Sequence, residues 1–243
     1  MSIWGSLIGG MVGFTFGGPF GMLLGSLIGG RISRARSGTA RNFSSFAQPQ
    51  QIFALSLIVL SAKLSKADGL VSKEELIAVR DKLKIPENEI ENVGKIFNKA
   101  KEESTGYEPY AQQISQIYKN NLNVLEEVIN ILFYIAEADG KISQSELAMI
   151  QHIAQIFGLN QSQFNSIKES RKGSDKLNPY IVLESKPEDN LKDIRKKYLK
   201  LSKEHHPDLL ISKGVPKEVI EESKKKMRAI NSAWDQIQKL KSI

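Results

Sequence analysis

The sequence predicts an all-α protein with three parts: a single N-terminal transmembrane helix, a bundle of short helices, and a C-terminal hairpin of two long helices. Three observations predict this fold class. Residues 2–30 are uncharged and rich in glycine, and a helix–turn–helix pattern occurs twice between residues 50 and 172. Two amphipathic helical stretches then flank a His-Pro-Asp tripeptide near the C-terminus. With 243 residues, the chain is long enough for one large or two small domains.

The charge distribution agrees with a division into parts. Residues 1–41 carry four arginines and no acidic residue, residues 42–173 carry 14 basic and 16 acidic residues, and residues 174–243 carry 16 and 11. Such asymmetry is typical of segments with separate roles. The chain has no cysteine, which excludes a disulfide framework and a cysteine nucleophile. The predicted boundaries are 1–30 for the membrane segment, 31–50 for a basic and polar linker, 51–172 for the bundle and 178–243 for the hairpin.

The membrane segment has a glycine at every fourth position. It is longer than the roughly 20 residues that a helix needs to cross a bilayer. In lipid the backbone must satisfy its own hydrogen bonds, so a helix is favoured despite the glycines. Glycines four residues apart let a second helix approach closely, which favours a homodimer through this helix. These glycines are Gly5, Gly9, Gly13, Gly17, Gly21, Gly25 and Gly29.

The residues that follow the apolar segment predict its orientation. Arg31, Arg34, Arg36 and Arg41 come directly after it, and no basic residue precedes it. By the positive-inside rule, a single-pass helix then has its N-terminus outside and the rest of the chain in the cytoplasm. A cleaved signal peptide would need a basic region before the apolar run. A re-entrant hairpin that turns at residues 17–19 is a further alternative, with arms too short to span the bilayer.

The middle of the chain contains an internal repeat. The stretches KADGLVSKEEL at 66–76 and EADGKISQSEL at 137–147 share the pattern A-D-G-x-[V/I]-S-x-x-E-L. The Asp-Gly pair is typical of a tight turn, and a serine three residues before a glutamate is the capping box that begins a helix. Each copy therefore predicts a helix, a turn and a helix. With the flanking apolar periodicity, this predicts six to eight short helices over residues 50–172.

The acidic residues of the two turns suggest a second interpretation, a divalent-metal site. They are Asp68 and Glu75 in the first copy and Asp139 and Glu146 in the second. A calcium-binding loop needs oxygen ligands at alternate positions before its final glutamate, and both copies lack them. A structural turn is therefore the favoured interpretation, with a metal site as the alternative.

The C-terminal segment predicts two long helices. The first has an apolar arc that includes His205, and it should end near His206 because Pro207 disfavours helical geometry in the residue before it. After a loop that contains Gly214, Pro216 is well placed to begin the second helix. Basic residues cover the outer side of the first helix: Arg195, Lys196, Lys197, Lys200 and Lys203.

The tripeptide His206-Pro207-Asp208 lies between these helices and has several interpretations. A metal site would need more ligands than the three histidines of a cysteine-free chain supply. A catalytic His-Asp pair would need a nucleophile nearby, and none is marked, so we expect neither an enzyme nor a cofactor. A nucleic-acid module is disfavoured because Asp193 and Glu204 interrupt the basic helix. A solvated turn would not explain why the tripeptide stands at the helix tip.

At these residues the sequence resembles the J-domain of DnaJ co-chaperones. Tyr180 and Leu183 match its first short helix, IRKKYLKL leads into His-Pro-Asp with the J-domain spacing, and KMRAINSAWDQI matches its third helix. The middle segment resembles the TerB-like domain, in which acidic residues have been linked to metal binding. The order of membrane span, TerB-like domain and J-domain resembles the DjlA family, as does the long loop after His-Pro-Asp.

The resemblance implies a partner rather than a reaction. It implies a DnaK-type seventy-kilodalton chaperone, whose ATP hydrolysis a J-domain stimulates, at the inner membrane of a bacterial cell. The tripeptide 206–208 would be the trigger. Basic side chains would steer it onto an acidic surface of the partner, and these are Arg195, Lys196, Lys200 and Lys203.

Several positions depart from the J-domain pattern, among them Glu184 and Ser185, which replace the usual small and apolar pair after the first helix. Leu199 stands where the helix usually carries a basic residue, and Leu209 where a lysine commonly follows the tripeptide. The two leucines motivate an alternative, in which the protein is a membrane scaffold or stress-response protein that acts through its glycine helix and its TerB-like domain.

Overall fold

The computed structural model describes the chain from residue 49, with short gaps. The predicted membrane helix with its seven glycines, most of the linker, and Asp68 lie outside the described residues. Within the described ranges, no helix is both long enough and apolar enough to cross a bilayer. The described residues are 49–67, 69, 71–102, 104–172, 176–212 and 217–241.

The described part of the middle segment has seven α-helices, in agreement with the predicted six to eight. A short 3₁₀ helix, Glu87–Glu89, precedes the third of them. The α-helices are α1 (Pro49–Ser65), α2 (Lys73–Lys82), α3 (Ile90–Ala100), α4 (Glu108–Ile117), α5 (Leu122–Ala136), α6 (Gln144–Ile156) and α7 (Gln161–Ser170).

The C-terminal segment contains the two predicted long helices and one that the sequence pattern missed. After the one-turn helix α8 (Pro179–Val182), helix α9 (Leu191–Glu204) ends two residues before His206, as predicted. Helix α10 (Pro207–Ser212) occupies the start of the expected connecting loop. Pro207 explains the correction, because proline ends one helix and is favoured in the first turn of the next. Helix α11 (Lys217–Lys241) follows.

The chain forms two compact units that do not follow the order of the sequence. Among the described residues, one unit combines 118–131 with those from 150 onwards, and the other combines those from 49 to 117 with 132–149. The first unit thus contains the C-terminal helices together with part of the predicted bundle.

The unit that contains α1 is built around that helix. Phe53, Leu57, Leu60 and Leu64 of α1 are completely buried, and α1 packs against α3 and α4. A helix that is apolar on most of its circumference is stable only when it is surrounded. The burial of α1 therefore follows from its composition.

Both predicted capping boxes are present at the start of the helices after the turns. Ser72 Oγ accepts a hydrogen bond from the backbone of Glu75 at 3.0 Å, and the Glu75 carboxylate accepts one from the Ser72 backbone at 2.8 Å. Ser143 and Glu146 repeat the arrangement at 3.1 and 2.8 Å. Each box satisfies two donors that a helix start leaves unpaired.

The core of the other unit joins α8, α9 and α11. Tyr198 of α9 stacks on Trp234 of α11, with ring centroids 5.1 Å apart and an interplanar angle of 10°. Leu201 and Ile230 are buried in the same cluster. The apolar faces of the two long helices thus pack on each other, which leaves the basic side of α9 outward.

Candidate functional site

The tripeptide His206-Pro207-Asp208 forms the junction between α9 and α10. His205 is the C-terminal cap of α9, and Pro207 is the first residue of α10. Asp208 lies in the first turn of α10, where an acidic side chain is favoured by the partial positive charge of the helix start. The sequence therefore builds a two-residue connection between two helices rather than an extended loop, and this junction at residues 206–208 is called the corner below.

Both polar side chains of the tripeptide are accessible. The side chain of His206 is 51% exposed and that of Asp208 is 83% exposed. The Asp208 backbone N–H donates to Nδ1 of His206 at 3.3 Å, and the Leu209 N–H donates to the His206 carbonyl at 3.0 Å. These bonds shape the corner from within and leave a carboxylate and an imidazole open to a partner.

The predicted basic surface on α9 lies beside this corner. Its four members are exposed, and two of them make weak ion pairs on the same helix. Lys196 lies 3.0 Å from Asp193, and Lys200 lies 3.9 Å from Glu204. Exposed pairs of this kind contribute little to stability, so the cations are available to a partner. The basic surface consists of Arg195, Lys196, Lys200 and Lys203.

Two side chains on α9 differ from the expectation of a uniform basic face. The ammonium of Lys197 is engaged within the chain, since its Nζ donates to the Glu184 carbonyl and to Asp189, both at 2.9 Å, although the side chain is partly exposed. It ties the segment before α9 to that helix instead. Leu199, by contrast, is 55% exposed and stands among the lysines as an apolar surface residue.

Directly beneath the corner lies a buried polar cluster that the sequence pattern did not reveal. The ring of His205 is 1% exposed and bridges two carboxylates of α5: Nε2 lies 3.2 Å from Glu126 Oε2, and Nδ1 lies 3.2 Å from Glu127 Oε1. Gln163 of α7 donates to Glu126 at 3.1 Å, and Asn130 donates to Glu127 at 3.0 Å. The cluster therefore holds the residue before the tripeptide.

The electrostatics of the cluster agree with a charged histidine. Burial alone would lower the pKa of His205, but its hydrogen bonds to Glu126 and Glu127 raise it to about 9. Burial also works to raise the pKa of Glu126, yet the bond and the charge of His205 leave it below its ordinary value. The complete burial of Glu127 raises its pKa. An imidazole with a carboxylate at each nitrogen is best paired when both nitrogens donate.

A lysine of α11 completes the cluster. Lys226 is 3% exposed, and its Nζ donates to Ser166 at 2.8 Å and to Ser170 at 3.1 Å, both on α7. Burial lowers the pKa of Lys226, while Glu126 and Glu127 act against that shift. Two acidic and two basic side chains thus share one interior. His205 contacts both carboxylates directly, whereas Lys226 hydrogen-bonds to two serines and interacts with the carboxylates through its charge.

The sequence contains a signal for this cluster. Glu126 and Glu127 interrupt the apolar run of α5, and His205 lies on the apolar arc of α9. Charged residues on a face that is otherwise buried need a partner. The signal does not identify that partner, because the two acidic residues and the histidine are about 80 positions apart.

Three acidic residues of the repeated turns, Glu75, Asp139 and Glu146, accept hydrogen bonds from the backbone of the same turns. Glu75 and Glu146 are buried in their capping boxes, and Asp139 accepts a hydrogen bond from the Lys141 backbone at 3.1 Å. Burial, with a contribution from the nearby Glu146, raises the pKa of Glu75. Across the described ranges, no three potential metal ligands come together; Asp68 lies outside those ranges.

Two family models match the chain. The model described as tellurite resistance protein TerB matches residues 54–169, and the model described as the co-chaperone DjlA transmembrane domain matches residues 1–39. The second match covers the segment for which the glycine pattern predicts a membrane helix.

Curated relatives match along most or all of the chain. The co-chaperone protein DjlA of Escherichia coli K12 is 26% identical over 268 residues, which covers 99% of each chain. The proteins of the same name from Vibrio parahaemolyticus and Vibrio cholerae are 27% and 26% identical, and the alignments cover 81% and 88% of this chain. No solved structure matches the chain significantly.

Proposed function

The chain belongs to the DjlA family of membrane-associated co-chaperones, and from that premise we propose that it binds a DnaK-type chaperone and stimulates its ATP hydrolysis. The observation that carries the proposal is the corner at residues 206–208. It presents an exposed imidazole and an exposed carboxylate at the tip of a helix whose outer side is basic. The protein itself makes and breaks no bond in this role.

The three parts of the site have separate roles in the proposal. His206, Pro207 and Asp208 act as the trigger that contacts the partner. The basic surface of α9 attracts an acidic surface on that partner, which raises the rate of association more than the affinity. The stacked pair Tyr198 and Trp234 stays in the core and keeps α9 and α11 in register. Nucleic acid has no role.

The membrane segment places this activity at the bilayer. We infer a single pass through the bacterial inner membrane, with the N-terminus outside, because four arginines follow the apolar residues and no basic residue precedes them. The glycine repeat then pairs two copies. Replacement of Gly13 and Gly17 by leucine should reduce cross-linked dimer in membranes, and an unchanged dimer fraction would contradict the pairing.

The proposal is tested by the ATPase rate of a bacterial DnaK. The rate is measured with the purified full chain in detergent micelles, with the variant His206→Gln and with His152→Gln. The second variant is a matched control, because it makes the same substitution at an exposed histidine of α6. We expect stimulation by the parent and the control, and loss of stimulation in His206→Gln.

Two results of this experiment would contradict the proposal. Equal stimulation by the parent and His206→Gln would remove the trigger role from the tripeptide. No stimulation by a folded parent chain would favour the alternative, a membrane scaffold or stress-response protein that works through the glycine helix and the TerB-matched domain. In that alternative, a cellular phenotype survives His206→Gln but not the replacement of Gly13 and Gly17.

A further inference from the structure

The end of α9 is held by side chains that come from other helices. The last carbonyls of a helix lack partners within the helix. Here the Asn123 side chain of α5 donates to the Glu204 carbonyl at 2.7 Å, and the Ser223 hydroxyl of α11 donates to the His205 carbonyl. Both donors are buried, so the backbone immediately before the trigger is fixed from two sides.

The side chain of the same residue is fixed as well. His205 contacts Glu126 through one ring nitrogen and Glu127 through the other, each at 3.2 Å. A ring that uses both nitrogens cannot rotate without breaking an interaction in a buried site. The two carboxylates are themselves held by Gln163 and Asn130. The position of His205 is therefore defined by helix α5, which lies within the TerB-matched residues.

If the cluster only stabilised the helix end, apolar side chains would serve as well as buried charges. Desolvation of buried charges offsets most of their mutual attraction, and an apolar replacement of similar volume is often as stable. Buried ionic groups do, however, define one geometry, because each charge accepts few arrangements of its partners. A fixed geometry is useful where the next residue must meet a partner in a particular orientation.

We propose that His205, held by Glu126 and Glu127, is a positioning residue that sets the orientation of the trigger His206-Pro207-Asp208. Helix α5 then contributes to the co-chaperone site. The TerB-matched segment positions the trigger in addition to linking it to the membrane. The inference rests on the proposed function for its consequence in ATP hydrolysis. The effect of the cluster on the order of the corner does not depend on any partner.

The first experiment compares the full chain with His205→Gln at saturating DnaK. Glutamine cannot place a charged donor against both carboxylates, so the corner loses its anchor. We expect the maximal stimulation to fall about tenfold, a size that is ordinary for coupling between two sites in a protein. Circular dichroism checks that the helices are retained. His152→Gln again serves as the matched control and should keep full stimulation.

A second readout needs no partner. The amides of Leu209 and Leu210 both donate to the His206 carbonyl, so their hydrogen exchange reports the order of the corner. In His205→Gln we expect a peptide that covers residues 206–211 to exchange about tenfold faster, while α4 peptides stay unchanged. If the parent fails to stimulate DnaK, the proposed function fails, and the exchange measurement still decides the positioning role.

Other outcomes would overturn the proposal. A folded His205→Gln chain with full stimulation and parental exchange, but a lower melting temperature, shows that the cluster serves stability alone. If His205→Gln does not fold, Asn123→Ala replaces it, since this variant removes one backbone anchor and leaves the charges in place. Its control is the exposed Asn120→Ala. Equal stimulation and equal exchange in these two variants contradict the positioning role.

Discussion

Nδ1 of His205 lies 3.2 Å from Oε1 of Glu127, although 78 positions separate the two residues in the sequence. This contact brings the residue before the trigger into the interior of the unit that α5 and α7 share with the C-terminal helices. It is one of the contacts by which the TerB-matched segment holds the residues before the trigger. Disruption of the contact should therefore affect stability as well as activity.

The first prediction concerns the loss of one carboxylate. Glu127→Ala leaves His205 with one partner and an unpaired position in a dry interior, so we expect the free energy of unfolding to fall by about 3–5 kcal/mol. Urea denaturation of the full chain in micelles, followed by far-UV circular dichroism, measures the change. The control Glu91→Ala breaks an exposed pair with Lys95 and should leave the free energy of unfolding nearly unchanged, because exposed ion pairs contribute little. Similar effects of the two variants would contradict a paired buried charge.

The second prediction concerns pH. His205 has an ordinary pKa of 6.5 that is raised to about 9 in the folded chain. Its contribution to stability is therefore fully present below about pH 6.5 and is lost as the pH rises through about 9. The charged groups around it are Glu126 and Glu127, which contact it, Glu184, which interacts with it through its charge, and Lys226, which interacts with the same three carboxylates. These groups also titrate, so the measured quantity is the difference between the parent and His205→Gln.

That difference in the free energy of unfolding should be largest near pH 6 and should shrink towards pH 9.5. Denaturation curves of both proteins at four or five pH values provide it. A difference that stays constant over this interval would show that His205 carries no proton linked to folding.

The third prediction concerns the two capping boxes. Ser72→Ala and Ser143→Ala each remove an acceptor for a backbone donor at a helix start, and each should cost about 1 kcal/mol. The control Gln144→Ala changes an exposed side chain in the same turn as Ser143 and should stay within about 0.5 kcal/mol. Denaturation at one pH measures all three. A serine variant as stable as the control would mean that its box does not stabilise the helix.

These boxes mark what local sequence can predict. The pattern S-x-x-E places acceptor and donor within one turn, so Ser72 and Ser143 are identified without knowledge of the fold. The C-terminal end of α9 and the amphipathic faces of α9 and α11 follow equally from nearby residues. The sequence does not predict α10, because Gly214 favours a loop after the tripeptide, although Pro207 and Asp208 are typical of a helix start.

The buried cluster could not be predicted in the same way. Which acidic residue meets His205 depends on how α5 and α9 pack, and packing at long range has no local pattern. Lys197 illustrates the same limit on one helix. Its position suggested the outer basic face, yet the segment before α9 offers it the Glu184 carbonyl and the Asp189 carboxylate. Tertiary contacts decided both cases.

The fourth prediction concerns the basic surface. The double variant Lys200→Ala, Lys203→Ala should slow association with DnaK about threefold to tenfold at low salt. The gap should close near 1 M salt, where the screening length is about 3 Å. The association rates are measured as DnaK binds to the full chain immobilised on a surface, at a series of salt concentrations. The matched control Lys224→Ala, Lys239→Ala removes the same charge from exposed positions of α11, and equal slowing in both variants would contradict specific steering.

The most direct test of the proposed function is the maximal ATPase rate of a bacterial DnaK with the full chain, compared between the parent and His206→Gln. We expect the parent to stimulate hydrolysis and the variant, with an unchanged circular dichroism spectrum, to leave the rate at that of DnaK alone. Equal rates with the two proteins would contradict the assignment of the trigger to residues 206–208.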